Sequence, residues 1–263
     1  MAAREYSNIL YERKDRVATI TLNRPQVLNA LNSALLKELY EAFQEAEKDP
    51  DVSVIILTGC GDRSFCAGAD ISELQSLTPI KGRNHVLWIQ ECTKYIERIQ
   101  KPVVARINGF CLGGGQEIAM ACDFRIAVDK ARFGQPEINL AIIPGGGGTQ
   151  RLPRLIGKTK AVEINMLGIH VDANEAYRLG LLNRVVSAEE LDKTVSEFVQ
   201  ALLSKSPAAI GTLKLAMNEG LEMDLERALY YEAECFATTL ATDDSKEGMK
   251  AFLEKRPPVF KGR

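Results

Sequence analysis

Glu117 and Glu137 are two carboxylates set twenty residues apart, and each adjoins a glycine-rich turn. Carboxyl groups so placed can move protons, one as base while the other serves as acid. Glycine turns expose backbone N–H groups, and two converging N–H groups can hold negative charge as it develops on a thioester oxygen. Together these features suit proton transfer beside an enolate. Each acid also has an ordinary structural reading. Glu117 opens a helix-like stretch, where a carboxylate meets the positive end of the helix dipole. Glu137 follows Pro136 and reads equally as a solvated loop residue.

Three segments carry the glycines: Ser64–Ile71 (SFCAGADI), Asn108–Glu117 (NGFCLGGGQE) and Phe133–Gly148 (FGQPEINLAIIPGGGG). Each adjoins a predicted strand, with glycine where the chain must turn sharply or approach a ligand closely. Gly114 offers its N–H near the start of the helix-like run Ile118–Cys122. Familiar nucleotide motifs do not account for these loops. Gly157-Lys158-Thr159 has the tail of a phosphate-binding loop, but its leading glycine would fall at position 152, which is Leu152. Neither Gly113–Gly115 nor Gly145–Gly148 has the first-strand context of a dinucleotide fingerprint. No G-x-S-x-G elbow supplies a serine nucleophile.

The elements that must position these loops follow from periodicity. Ile9–Arg13 and Val17–Leu22 are predicted as strands joined at Lys14–Asp15, and Asn32 as the cap of a helix with Leu35, Leu39, Phe43 and Ala46 on one face. Ser53–Thr58, Val103–Ile107 and Phe124–Ala127 are short apolar runs suited to strands buried on both faces. A helix is expected from about Asn84 to Ile99, ended by Pro102. Helical periodicity dominates Glu189–Leu203, Ala208–Glu219 and Leu225–Thr239. An α/β core of βαβ type, followed by a helical C-terminal part, is the expected architecture. No internal repeat is apparent.

Composition narrows the function classes. The 263 residues are 46% hydrophobic and 26% charged, with a net charge of −2, so no overall basic field draws nucleic acid or anionic lipid. The N-terminal stretch lacks a secretory apolar core, and no apolar run approaches bilayer-spanning length. The expectation is a cytoplasmic protein with no membrane or nucleic-acid partner. Six cysteines without C-x-x-C spacing read as reduced, mostly buried thiols. His85 and His170 stand apart from other ligands, so no metal site is expected.

At FCAGADI, NGFCLGGGQEIAMACD, FGQPEINLAIIPGGGGTQRL and FLEKRPPVF the sequence resembles the enoyl-CoA hydratase (crotonase) superfamily, from about Ile9 to Phe260. The resemblance implies a spiral of ββα repeats over residues 1–200 that holds the active site. Residues 201–263 would form a helical region that assembles trimers, commonly paired into hexamers, and covers coenzyme A. It implies an oxyanion hole at the N–H groups of Ala69 and Gly114, and coenzyme A contacts at Ala67, Ala69, Ile71, Phe252 and Lys255. The last two often act from a neighbouring subunit. Gly145 matches a position whose N–H helps to hold water. No separate cofactor is implied, because coenzyme A is part of the acyl-CoA substrate.

Hydratases of that family keep both carboxylates, and Glu117 and Glu137 occupy the matching positions. The implied reaction is reversible addition of water to a trans-2-enoyl-CoA, within fatty-acid or short-chain acyl-CoA metabolism such as β-oxidation. Glu117 would activate the water and Glu137 would protonate C2. Alternatives are a 3,2-trans-enoyl-CoA isomerase, a 3-methylglutaconyl-CoA hydratase and, more remotely, a non-catalytic acyl-CoA or RNA-binding protein. Leu74, Leu77, Pro79 and Ile80 suggest an apolar acyl wall within Ser72–Val86, and a short or medium neutral chain. Trp88 reads as an ordinary core residue of the following helix.

Overall fold

The computed structural model describes residues 5–262. Strands β1 (Ile9–Lys14) and β2 (Val17–Leu22) form an antiparallel hairpin. Its two turn residues are Asp15 and Arg16, both at positive φ, as a tight hairpin turn requires. Along β2 the buried residues are Ala18, Ile20 and Leu22, the alternation of a strand with one face on a core. Helix α1 (Ser33–Lys48) starts where the Asn32 side chain accepts a hydrogen bond from the Leu35 N–H at 2.9 Å. Its buried face is Leu35, Leu36, Leu39, Ala42, Phe43 and Ala46.

One structural unit then recurs: a long strand, a strand of three residues, and a helix. The first is β3 (Val54–Gly59), β4 (Ser64–Cys66), and helices α2 (Ile71–Leu74) and α3 (Pro79–Arg98). The second is β5 (Val103–Ile107), β6 (Phe110–Leu112) and α4 (Gly114–Ala121). The third is β7 (Phe124–Val128), β8 (Arg132–Gly134) and the 3-10 helix Pro136–Leu140. Helices α5 (Gly148–Ile156) and α6 (Lys158–Leu167), strand β9 (His170–Asp172), helix α7 (Ala173–Arg178) and strand β10 (Arg184–Val186) follow.

The long strands make one sheet in the order β1-β2-β3-β5-β7-β10, parallel beyond the first hairpin. The short strands make a second sheet, β4-β6-β8-β9, in which β4, β6 and β8 run parallel. This is the α/β spiral of ββα units expected from the resemblance. Helices α8 (Leu191–Leu203), α9 (Pro207–Gly220), α10 (Leu225–Leu240) and α11 (Asp243–Leu253) complete the chain.

Besides the hairpin turn, which falls at Asp15–Arg16 rather than Lys14–Asp15 because Lys14 pairs with Val17, two details depart from the sequence reading. Helix α3 begins at Pro79, five residues before the expected start, because the Thr78 hydroxyl caps it and proline suits its first turn. The expected wall within Ser72–Val86 is therefore partly helix, and Ile80 is 75% exposed. Second, the repeat is architectural rather than sequential, since the short strands are too brief to show periodicity. Trp88 packs against the core with its ring 5.1 Å from that of Tyr40. Cys66, Cys92, Cys111 and Cys122 are buried free thiols, while Cys60 and Cys235 are half-buried.

Candidate active site

The site begins with three turns leaving the carboxyl ends of adjacent parallel strands. Order β4-β6-β8 sets the turns after Cys66, Leu112 and Gly134 side by side. After β4 the chain reverses through Gly68 at φ +108°. The Leu31 N–H donates to the Gly68 carbonyl and the Asp70 N–H to the Leu31 carbonyl, both at 2.8 Å. That bridge occupies one side of residue 69, so the Ala69 N–H points the other way. After β6, Gly113 at φ +52° donates its N–H to the Gly134 carbonyl at 2.9 Å and opens α4. Gly114 is then the first residue of α4, where an N–H has no acceptor inside the helix. A Cβ on Gly114 would lie 3.8 Å from the Ala69 nitrogen, so the two donors are neighbours. Their approach depends on Gly115, whose Cβ would stand 2.2 Å from the Cys66 carbonyl oxygen.

Glu117 lies within α4 and is 2% exposed. Its Oε1 accepts the Gly148 N–H at 2.7 Å. Burial pushes its carboxyl above the usual range, while the N–H groups of Gly148, Gly146 and Gly147 and the Arg151 guanidinium pull the other way. Glu137, on the 3-10 helix, is half-buried rather than solvated. Burial, and then the charge of Glu117, push it up to about 7. The Gln135 amide, fully buried, can donate to Glu137 Oε1 at 3.0 Å and Oε2 at 3.2 Å. Cβ atoms built on Gly113 and Gly114 would lie 2.8 Å from Glu137 Oε1 and 3.9 Å from Glu117 Oε2, respectively. The two acids thus flank one pair of glycines. Burial raises both; glycine-loop N–H groups and Arg151 offset it at Glu117, whereas the charge of Glu117 adds to it at Glu137.

Gly145 is half-buried in the loop that carries Gly148. Its carbonyl accepts from Gln90 Nε2 at 2.9 Å, and Val86 packs where a side chain would stand. Ala67 is half-buried and donates its N–H to the Leu28 carbonyl at 3.1 Å. Ile71, the first residue of α2, is 50% exposed beside Asp70, which pairs with Arg24 at 2.9 Å. Phe252 is 82% exposed near the end of α11, and Lys255 lies at the surface just beyond it. Neither is held against Ala67–Ile71 by a hydrogen bond or ion pair among the described residues. Open cavities lined by Asp243, Asp244, Glu247, Val259 and Lys261, and by Asp62, Arg63, Gly109, Phe110 and Lys130, contain none of these groups.

Gln135, Gln90, Arg151 and Glu97 do not stand out in the sequence, and Gly148 does so only as the last of the Gly145–Gly148 run. Gln135 carried a faint signal, as a polar residue between a strand and the Pro136-Glu137 turn. The others are identified only by where the fold brings them.

Turns of this kind on a ββα spiral are those of the crotonase superfamily. Residues 12–263 match the model of the enoyl-CoA hydratase/isomerase family, and the chain belongs to that family, on its hydratase branch. It is 47% identical to a crotonyl-CoA hydratase of Syntrophomonas wolfei, over 97% of this chain and 98% of that one. It is 46% identical to a short-chain-enoyl-CoA hydratase of Clostridium acetobutylicum, over 96% and 97%. Among solved structures, an enoyl-CoA hydratase from Bacillus anthracis superposes with a TM-score of 0.94 at 40% identity, over 98% of this chain and 100% of that one.

Proposed function

We propose that the chain is an enoyl-CoA hydratase, which adds water reversibly across a trans-2-enoyl-CoA to give a 3-hydroxyacyl-CoA. The observation that carries this reading is the unequal treatment of two neighbouring acids. Burial raises both, but N–H donors from the glycine loop and Arg151 oppose it at Glu117, whereas the charge of Glu117 reinforces it at Glu137, which rises to about 7.

The thioester oxygen sits between the Ala69 and Gly114 N–H groups. These withdraw charge from the conjugated system, make C3 electrophilic and stabilise the enolate that forms. Each donor contributes about 3 kcal/mol to the barrier. Ionised Glu117 takes a proton from water as that water attacks C3, with the Gly145 N–H helping to hold it. Protonated Glu137 delivers its proton to C2. Separating two carboxyls into acid and base by environment is a general device. The reverse steps dehydrate the 3-hydroxyacyl thioester. The chemistry needs no cofactor beyond the coenzyme A already joined to the substrate.

Ala67, Ala69 and Ile71 line the coenzyme, and Phe252 and Lys255 close over it from a neighbouring subunit. The trimer or dimer of trimers this requires is supported by α10, which buries no residue in the single chain. Leu225, Leu229, Tyr230 and Phe236 on α10 are each more than half exposed. No helix among the described residues is long and apolar enough to cross a membrane, and we place the enzyme in the cytoplasm. A short acyl chain is the preferred substrate, in keeping with the names of the two bacterial relatives. The test is purified protein with crotonyl-CoA, followed by loss of enoyl-thioester absorbance and identification of the product. A 3-hydroxybutyryl thioester is expected. No hydration of any 2-enoyl-CoA from four to ten carbons would sink the reading (about the range of a short to medium chain).

A further inference from the structure

Four consecutive glycines, Gly145–Gly148, carry the N–H that holds Glu117, yet such a run has no side chains with which to fix itself. Its stiffness must be supplied from outside. Helix α3 presents Gln90, Thr93 and Glu97 toward it, spaced three and four residues apart on one face. Gln90 Nε2 donates to the Gly145 carbonyl at 2.9 Å. Arg151, in the first turn of α5, donates from Nη1 to the Gly146 carbonyl at 2.9 Å. The same guanidinium is gripped by Glu97 through Nε at 2.5 Å and Nη2 at 2.7 Å. Its backbone N–H also donates to the Gly147 carbonyl at 2.7 Å. Arg151 therefore ties α3, the glycine loop and α5 at one point, using the planar fork that lysine lacks. Gly147, at φ +120°, leaves the space for it, since a Cβ there would sit 2.0 Å from Nη1.

We propose that Arg151, locked by Glu97, is a positioning residue that fixes the Gly146–Gly147 peptides and so aims the Gly148 N–H at Glu117. The proposal rests on Glu117 acting as the base for water. Losing the clamp leaves the Gly146 carbonyl with the longer contact from Thr93 Oγ1 at 3.5 Å, and the loop can then rotate the Gly148 N–H away from the carboxylate. It also removes the one cation that faces Glu117 among the described residues. Glu137 faces it from the 3-10 helix, and Glu97 stands behind the guanidinium on α3.

The experiment compares wild type with R151M, R151K and E97Q in crotonyl-CoA hydration and in amide hydrogen exchange. R151M should lower kcat about 100-fold, the cost of a misplaced catalytic group. Its KM should stay within about threefold, because the group acts on chemistry rather than on binding. The acidic limb of its kcat–pH profile should move to higher pH. R151K, with the charge but not the fork, should keep that limb in place and recover only part of kcat. The amides of Gly146–Gly148 should exchange at least about tenfold faster in R151M, as expected for lost local protection. A folded R151M with wild-type kcat, an unmoved acidic limb and unchanged exchange overturns the proposal. If R151M does not fold, E97Q replaces it, with a kcat loss of about tenfold and faster exchange at the same amides. If the wild type itself hydrates no enoyl-CoA, the functional reading fails, while the exchange comparison still decides whether Arg151 holds the loop.

Discussion

The Gly148 N–H meets Oε1 of Glu117 at 2.7 Å across thirty-one residues of chain. This contact joins the second glycine turn to the third and gives a buried carboxylate a partner that stabilises its charged form. Glu137 accepts from the Gln135 amide rather than from the glycine loop, and it sits under the field of Glu117, which adds to the effect of burial. The division of labour between the acids follows from that difference.

Glutamine in place of either acid retains the shape and removes the proton transfer. E117Q and E137Q should each reduce kcat for crotonyl-CoA hydration by about 10² to 10⁴, the usual contribution of a positioned acid or base. Binding of a saturated acyl-CoA, measured by calorimetry, should remain within about threefold, because neither acid holds the coenzyme. Two active variants would remove the assignment.

The value of about 7 for Glu137 makes the profile sensitive near neutrality. The acid form is lost as pH rises through that value, so hydration should decline on the alkaline side of it. In E117Q the neighbouring charge is gone, and the Glu137 titration, followed by carboxyl NMR, should move down.

The same shift affects stability. A carboxyl raised in the folded state binds its proton more tightly there than in the unfolded chain. The stability this provides is complete below the unfolded value of 4.5 and is lost as pH rises through about 7. At pH 8 the wild type therefore carries a burial penalty that E137Q lacks. E137Q should be the more stable by at most about 3 kcal/mol there, with the gain gone by about pH 4. Urea unfolding at the two pH values measures it, and an equal difference at both would contradict it.

Gly115 lets the start of α4 rest on the end of β4. G115A places a methyl 2.2 Å from the Cys66 carbonyl and 2.7 Å from the Cys66 Cβ, against backbone that cannot yield. A loss of about 3 kcal/mol is expected, with the Ala69 and Gly114 donors spread apart. Urea midpoints, together with weakened acyl-CoA binding, report the two effects. An unaltered midpoint would show that the turns are not pressed together in solution.

Lys214 ties α9 to the core. Buried, its Nζ donates to Asp123 Oδ2 at 2.8 Å and to the Ile96 carbonyl at 2.9 Å. K214A leaves the carboxylate of Asp123 in a buried place with its cation removed, and about 3 to 5 kcal/mol should be lost. D123N/K214A should regain part of it, because the stranded charge is gone. Equilibrium unfolding of the single and double variants separates these contributions.

Much of the framework was legible locally. The apolar runs at Val54–Gly59 and Val103–Ile107, the capping Asn32 and the alternation in Val17–Leu22 each act through neighbours in the chain, so their positions could be read directly. The glycine turns and two acids were visible as residue types in order. Helix α3 starts before Asn84 because the Thr78 cap and Pro79 in its first turn set its beginning.

Other features arise only when distant segments meet. Strands β4, β6 and β8 have three residues each, too few to carry periodicity, and they exist because parallel neighbours supply their hydrogen bonds. Glu137 becomes an acid near neutrality only because folding buries it beside Glu117. Glu97 and Arg151, fifty-four residues apart, become a clamp only because α3 and α5 flank the same loop. Residue order specified which groups were present. Which proton each carboxyl keeps is decided by desolvation and by donors brought from elsewhere in the chain, and those depend on the tertiary structure.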